Sequence, residues 1–297
     1  MMTELTADQD VVRRYLCDQA PGSRVVSARL TETARALVAH QQMPPQVAAL
    51  CQEMSLAASL LTSCLKFEGE MTIQAKSDGP VSLLVAECTS DGQLRTTAQW
   101  NPELSATTFR ELVGEGYFAV TVDPKQGERY QGIVALDADS IGGCMNQYFY
   151  QSEQLATEMW LAADGTSAGG LLIQRLATEG GHQPTEAAGL DTLKALAHTV
   201  LAEELLADAG PKLVYRLFHE LKPRQFEPWP VYFGCSCSKA RSARAIRALG
   251  AEDVKRLFED QKEVRVDCHF CGQVYEYDQA DLEWLLSDQP PGSDTLQ

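Results

Sequence analysis

The chain has 297 residues, enough for about two domains, and its apolar fraction of 44% excludes wholesale disorder. Its 25 basic and 41 acidic side chains leave a formal charge of −16, a balance that repels nucleic-acid phosphates and acidic membrane surfaces unless a local basic patch overrides it. Residues 1–20 carry early acids and no apolar run, so no secretory signal is expected, and the whole is expected to be soluble and intracellular.

Taken in chain order, residues 7–16 have a helical pattern, 24–30 are β-like, and Thr31 opens a second helical pattern reaching about Gln42. Pro44 and Pro45 separate it from a long apolar helix that ends near Lys66. Gln52, Glu53 and several small polar residues interrupt its most apolar stretch, residues 47–65, which suits a buried core helix better than a membrane span. Three β-type runs follow at 71–76, 81–88 and 94–100, separated by Asp78-Gly79-Pro80 and by Asp91-Gly92, and they describe an antiparallel meander. A short helix is expected over 106–113, strands over 117–122 and 130–136, a helix over 140–151, and strands over 157–162 and 170–176. Strands and helices come in clusters rather than in strict alternation, so the expected class is α+β.

At Gly180-Gly181-His182-Gln183-Pro184 the composition shifts, and about fifty helical residues begin. Leu193, Leu196, Ala197, Val200, Leu201 and Leu205 share one face of a single expected helix, which Gly210-Pro211 ends. The next helix presents Leu213, Val214, Leu217, Phe218 and Leu221. Two such stripes cannot be buried by the helices alone and are expected to dock on the amino-terminal domain. Phe226-Glu227-Pro228-Trp229-Pro230 then forms a stiff connector that cannot extend a helix.

Nine cysteines fall into two groups. Cys17, Cys51, Cys64, Cys88 and Cys144 are scattered among apolar neighbours and read as buried thiols. Gly142-Gly143-Cys144 has no identifiable histidine partner for a nucleophile, and Gly127 to Gly132 lacks phosphate-loop spacing and reads as a hairpin connection. The other four are paired as Cys235-Ser236-Cys237 and Cys268-His269-Phe270-Cys271, thirty residues apart, with helices expected over 238–249 and 251–258 between them. Four thiolates satisfy a tetrahedral Zn²⁺ with no open position, the pattern of a structural site, with an iron–sulfur centre as the rival. Gly272 suits the tight turn that follows the second pair, and His269 is surplus to a filled tetrahedron. Lys239, Arg241, Arg244, Arg247, Lys255 and Arg256 could temper the charge of a zinc–tetrathiolate or simply solvate the helix faces. From spacing alone the site is first a passive staple. A disulfide within Cys-x-Cys would close a small and easily reduced ring, and the helices next to it have apolar faces to expose, so a switch is also open.

These residues carry a resemblance to the redox-regulated 33 kDa heat-shock chaperone family. Besides the two cysteine pairs, Leu60-Leu61-Thr62-Ser63-Cys64-Leu65-Lys66-Phe67-Glu68-Gly69, Gly127-Glu128-Arg129-Tyr130-Gln131-Gly132 and Ser152-Glu153-Gln154-Leu155 support it. The resemblance implies a cytoplasmic, ATP-independent holdase rather than an enzyme. It implies one Zn²⁺ per chain in the inactive reduced form, with Cys235, Cys237, Cys268 and Cys271 as ligands. On oxidation it implies disulfides Cys235–Cys237 and Cys268–Cys271, an unfolded linker, binding of unfolding client proteins, and a homodimer, with no nucleic-acid or membrane partner. The expected organisation is an α+β core domain over 1–180, with antiparallel sheet and helices, and a helical linker over 181–234. A small zinc-binding redox-switch domain over 235–288 and a frayed tail over 289–297 complete it. Two other classes stay open: a zinc-module nucleic-acid binder using Arg241, Arg244 and Arg247, and a thiol oxidoreductase using Cys268 and Cys271. Against the first, residues 235–297 hold eight basic and twelve acidic side chains; against the second, the motif lies outside any βαβ pattern.

Overall fold

In a computed structural model of the chain, residues 9–153, 155–176, 184–260 and 263–286 are described. The chain divides into two compact units, Met1–Gly234 and Cys235–Gln297. The change of composition at 180–184 and the tail over 289–297 lie outside the described residues, save for Pro184.

In the first unit the chain runs through β1 (Val11–Cys17), β2 (Ser23–Leu30), α1 (Glu32–Val38), α2 (Pro45–Thr62), β3 (Gly69–Ser77), β4 (Val81–Thr89) and β5 (Gln93–Trp100). It continues with α3 (Phe109–Val113), β6 (Gly116–Pro124), β7 (Tyr130–Ala135), α4 (Ile141–Tyr148), β8 (Thr157–Ala163) and β9 (Ala168–Arg175). Then come α5 (Pro184–Ala197), α6 (Ala202–Asp208), α7 (Pro211–Phe218) and the short strands β10 (Pro223–Gln225), β11 (Trp229–Pro230) and β12 (Tyr232–Phe233). One sheet has the order β10-β1-β2-β9-β8, with β11 also on β1; the other has the order β12-β5-β4-β3-β6-β7. Every pairing is antiparallel except β12 on β5. The fold is α+β, as expected.

The proline-opened helix α2 is the centre of the core. Fourteen of its eighteen residues are buried, so it is apolar on nearly every side because it is covered on nearly every side. Three of its buried polar side chains are satisfied: the Ser55 and Ser59 hydroxyls donate to the carbonyls of Cys51 and Leu56, and the Gln52 amide donates to the Ala34 carbonyl. Among the described residues no helix is long and apolar enough to cross a membrane.

The helix expected over 7–16 is not present among its described residues, 9–16. Residues 11–17 are strand β1, paired with β2 on one side and with β10 and β11 on the other. Both faces of this strand are covered, and Val-Val-Arg-Arg-Tyr-Leu-Cys, with Arg13 and Arg14 side by side, lacks the clean alternation that would have marked it as a strand. Val12 joins the core around α2, while Tyr15 and Cys17 join a second core on the opposite face of the sheet.

That second core is made by α5, α6 and α7. Leu190, Leu193, Ala197, Leu205, Leu213, Val214, Leu217 and Phe218 bury themselves against Tyr15, Val25, Leu171 and Ile173, and each large side chain so covered contributes about 1.5–3 kcal/mol. The single helix expected up to Gly210 is broken between α5 and α6. Leu201 is an extended residue there, 61% exposed, rather than a member of the apolar face. Thr199 and Val200 are β-branched and favour such a break, and Glu204 accepts the Leu201 amide at 3.0 Å to start α6. The break lets α6 lie directly on β9: a Cβ on Gly169 would meet the Leu205 carbonyl oxygen at 2.0 Å. Polar ties add to this layer, with Lys194 of α5 and His198 just after it at 2.7 and 3.0 Å from Glu158 of β8. The connector after α7 is extended, as its prolines require, and is stitched to β1 and β5 through β10, β11 and β12.

Since the atom facing Gly169 is backbone, it cannot rotate aside, and Gly169→Ala forces α6 off the sheet at a cost of about 1–3 kcal/mol. Hydrogen exchange should accelerate across residues 202–218 in the reduced protein and stay unchanged in β3, β4 and β6.

Candidate metal centre

The second unit consists of α8 (Lys239–Arg247), α9 (Ala251–Asp260), the hairpin β13 (Glu263–Asp267) and β14 (Val274–Asp278), and α10 (Leu282–Leu286). It has a small core of its own, in which Ala243, Ile246, Val254, Phe258, Val264, Tyr277 and Leu285 are buried. The two helices follow from the sequence; the hairpin and α10 were not expected.

Two connecting segments of this unit deliver a sulfur cluster. Cys235 and Cys237 lie in the irregular segment before α8, where Ser238 caps the helix by accepting the Arg241 amide at 3.2 Å. Cys268 and Cys271 sit in the turn that joins β13 to β14. There Cys268 donates its amide to the Gln273 carbonyl at 2.9 Å, and Gly272 donates to the Cys268 carbonyl at 2.8 Å. Gly272 has φ of 67°, the left-handed conformation that glycine adopts without strain. The four Sγ atoms lie within 4.8 Å of one another. Cys235 Sγ is 3.7 Å from Cys268 Sγ, and Cys237 Sγ is 3.3 Å from Cys271 Sγ. These are not disulfides, whose sulfurs stand about 2.05 Å apart. A tetrahedral ion with metal–sulfur bonds of about 2.3 Å needs sulfur–sulfur edges of about 3.8 Å, and the cluster has that scale. Soft thiolate donors suit zinc, copper(I) or iron. His269 is not a member of the ligand group.

A hydrogen bond also reaches the sulfurs from β14. The Tyr275 hydroxyl donates to Cys237 Sγ at 3.1 Å. Two residues on, and therefore on the same face of the strand, the Tyr277 hydroxyl donates to the Lys239 carbonyl at 2.7 Å. Tyr275 carried no signal in the reading from sequence, because that reading had no strand at 274–278. Period-two alternation in Val274-Tyr275-Glu276-Tyr277-Asp278 is the feature that would have found it.

Several of the basic side chains have other engagements. Lys239 pairs with Asp281 at 3.0 Å and lies over the Tyr277 ring, Arg256 pairs with Asp253, and Arg247 stacks on Trp284 and donates to its carbonyl at 2.9 Å. Arg241 donates to the hydroxyl of Ser236, between the first two cysteines. Arg247 is thus committed to the fold rather than aligned with Arg241 and Arg244 for phosphates.

As bare thiols the four do not titrate alike. Burial pushes Cys235 and Cys271 upward. Burial acts in the same sense on Cys237, but hydrogen bonds from Tyr275 and the neighbouring thiols outweigh it and leave this thiol below its ordinary value. Tyr275 is raised, first by its bond to Cys237 and then by burial. The five scattered cysteines are different. Burial lifts Cys17 and Cys144 to about 11 and Cys51 and Cys88 to about 12, and it raises Cys64 as well. They remain inert thiols at neutral pH.

A family model described as Hsp33 protein matches residues 10–278. A 33 kDa chaperonin of Shewanella sediminis is 38% identical over 281 residues, covering 94% of this chain and 96% of the relative. That of Azotobacter vinelandii is 41% identical over 292 residues, covering 97% and 98%. That of Pseudomonas paraeruginosa is 44% identical over 255 residues, covering 84% and 86%. A crystal structure of a 33 kDa chaperonin, a heat shock protein 33 homologue from Thermotoga maritima, shares the fold with a TM-score of 0.80 at 19% identity, over 93% of this chain and 97% of that one.

Two outcomes are expected of the sulfurs. With metal removed by a chelator, iodoacetamide should modify Cys237 at least about tenfold faster than the buried Cys17, Cys51, Cys88 and Cys144, as read by peptide mass spectrometry. Because ligation requires thiolates, metal affinity should fall steeply as pH drops from about 8 to about 6, as read by competition with a chromogenic chelator.

Proposed function

The chain belongs to the Hsp33 family of chaperones, and from that premise we propose that it is a redox-gated, ATP-independent holdase of the cytoplasm. The four sulfurs gathered within 4.8 Å are the observation that carries the proposal. In the reduced state Cys235, Cys237, Cys268 and Cys271 hold one Zn²⁺, chosen over copper and iron by the closed four-thiolate donor set and by the family. When bound, Zn²⁺ supplies folding free energy on the order of 10 kcal/mol to this small unit. No catalytic turnover is involved.

Oxidation of the thiolates to the disulfides Cys235–Cys237 and Cys268–Cys271 abolishes ligation, and the domain over 235–288 loses its main stabilising term. Cys235 follows Gly234 directly, so disorder spreads along the chain into a linker domain over 181–234 whose helices have little stability of their own. Helices α6 and α7 have 7 and 8 residues, well below the roughly 12–15 that an isolated helix needs; they are ordered by docking. Once they leave, two apolar surfaces become available to unfolding clients: the stripes around Leu193, Leu213 and Phe218, and the sheet face around Tyr15, Val25 and Ile173 on the core domain over 1–180. Such surfaces also favour self-association, and the oxidised form is a homodimer. Residues 289–297 remain outside this machinery.

Reduced protein should carry one zinc and resist client binding. Peroxide with mild heat should release the zinc, consume four thiols and suppress aggregation of a thermally unfolding client without nucleotide. Zinc that survives oxidation, or departs without any gain in holdase activity, overturns the proposal.

A further inference from the structure

The hydroxyl of Tyr275 is the protein's own hydrogen-bond donor to one sulfur of the cluster, and the hairpin places it there by construction. Tyr275 sits opposite Val266 in the register of β13 and β14. The strand is anchored on that face by Tyr277, which is fully buried and tied to Lys239 of α8. With the backbone so held, the Tyr275 ring packs against the small core and its hydroxyl reaches Cys237 Sγ at 3.1 Å. Cys237 lies beside α8, on the far side of the sequence from the hairpin, so the bond ties together the two halves of the ligand set.

A hydrogen bond to a thiolate is charge-assisted and withdraws electron density from the sulfur. It also occupies one lone pair and blocks one line of approach. Partners of this kind tune metal ligands as well as orient them. We propose that Tyr275 is a positioning residue that restrains Cys237 against oxidants, setting how readily this sulfur reacts. The proposal rests on the metal-holding, oxidant-sensitive reading of the cluster given above.

The chemistry it restrains is balanced as follows. The Cys237 thiolate attacks one oxygen of hydrogen peroxide, a sulfur–oxygen bond forms, the oxygen–oxygen bond breaks and hydroxide leaves. Sulfur is oxidised by two electrons and peroxide is reduced. A second thiolate of the cluster then attacks the sulfenic sulfur, displaces hydroxide and closes a disulfide. Each hydroxide takes up a proton from solvent. A less nucleophilic Cys237 slows the first of these steps at that sulfur and leaves the other three sulfurs untouched.

The test uses the full-length zinc-loaded protein, hydrogen peroxide, and a sulfenate-trapping dione, with site occupancy read by mass spectrometry and zinc release by a chromogenic chelator. In Tyr275→Phe, trapping at Cys237 should accelerate about fivefold, the ratio expected from loss of one hydrogen bond, while trapping at Cys235, Cys268 and Cys271 keeps its wild-type rate. Tyr277→Phe, which removes a hydroxyl bonded to the Lys239 carbonyl and the Ser242 hydroxyl and not to sulfur, should loosen the unit without changing the share of sulfenate at Cys237. An unchanged Cys237 rate in Tyr275→Phe, or an equal rise at all four cysteines, overturns the proposal, the latter because it marks a merely structural role. If wild-type protein holds no zinc or keeps it under peroxide, the metal-centre reading itself fails and this inference falls with it; if wild-type protein behaves as expected and only the Tyr275→Phe result fails, the inference alone is lost.

Discussion

Four thiols gathered within 4.8 Å form an arrangement that must be reconciled with its own charge. Left as thiolates they repel one another in a partly buried site, and left as thiols they contribute only weak hydrogen bonds. Two chemical states resolve the conflict: a soft cation shared by all four, or sulfur–sulfur bonds. The first cross-links residues near 236 to residues near 270 across thirty positions of chain. The second, paired within Cys-x-Cys and Cys-x-x-Cys, links neighbours and leaves the two halves of the unit free of one another. On the proposed function the same atoms support either order or release, and electron count makes the choice.

The second unit is suited to depend on that choice. Seven buried apolar residues make a core, but a core of that size is marginal for a segment of about sixty residues. The first unit has the opposite character, since α2 and the two sheets enclose an extensive interior. Between these extremes α6 and α7 are short, pack with α5 on one sheet face, and are held there by side-chain packing, by Gly169, and by the pairing of Glu158 with Lys194 and His198. Short helices on a preformed face are the kind of element that opens locally without loss of the rest.

Much of this was legible before any coordinates. The meander at 69–100, the pair of strands β6 and β7, and helix α2 follow from local pattern, because turn residues and apolar periodicity act over a few positions. Strand β1 did not, because its second face is covered by helices nearly two hundred residues later in the chain. Leu201 misled for a related reason: helical period assigned it to the apolar face, whereas the position of β9 decides where the helix must break. The hairpin at 263–278 was missed although its alternation is present, since short strands beside metal-ligand turns are easily read as loop.

By itself, the sequence determined the class of fold, the division of cysteines into five scattered and four clustered, and which four could share an ion, since donor type and spacing are local properties of the chain. Only the tertiary structure decided which face of the sheet the linker covers, that Gly169 must lack a side chain, and that Tyr275 reaches Cys237. Those outcomes depend on register and on contacts between distant segments, and a side chain's neighbours across such distances are set by the packed whole.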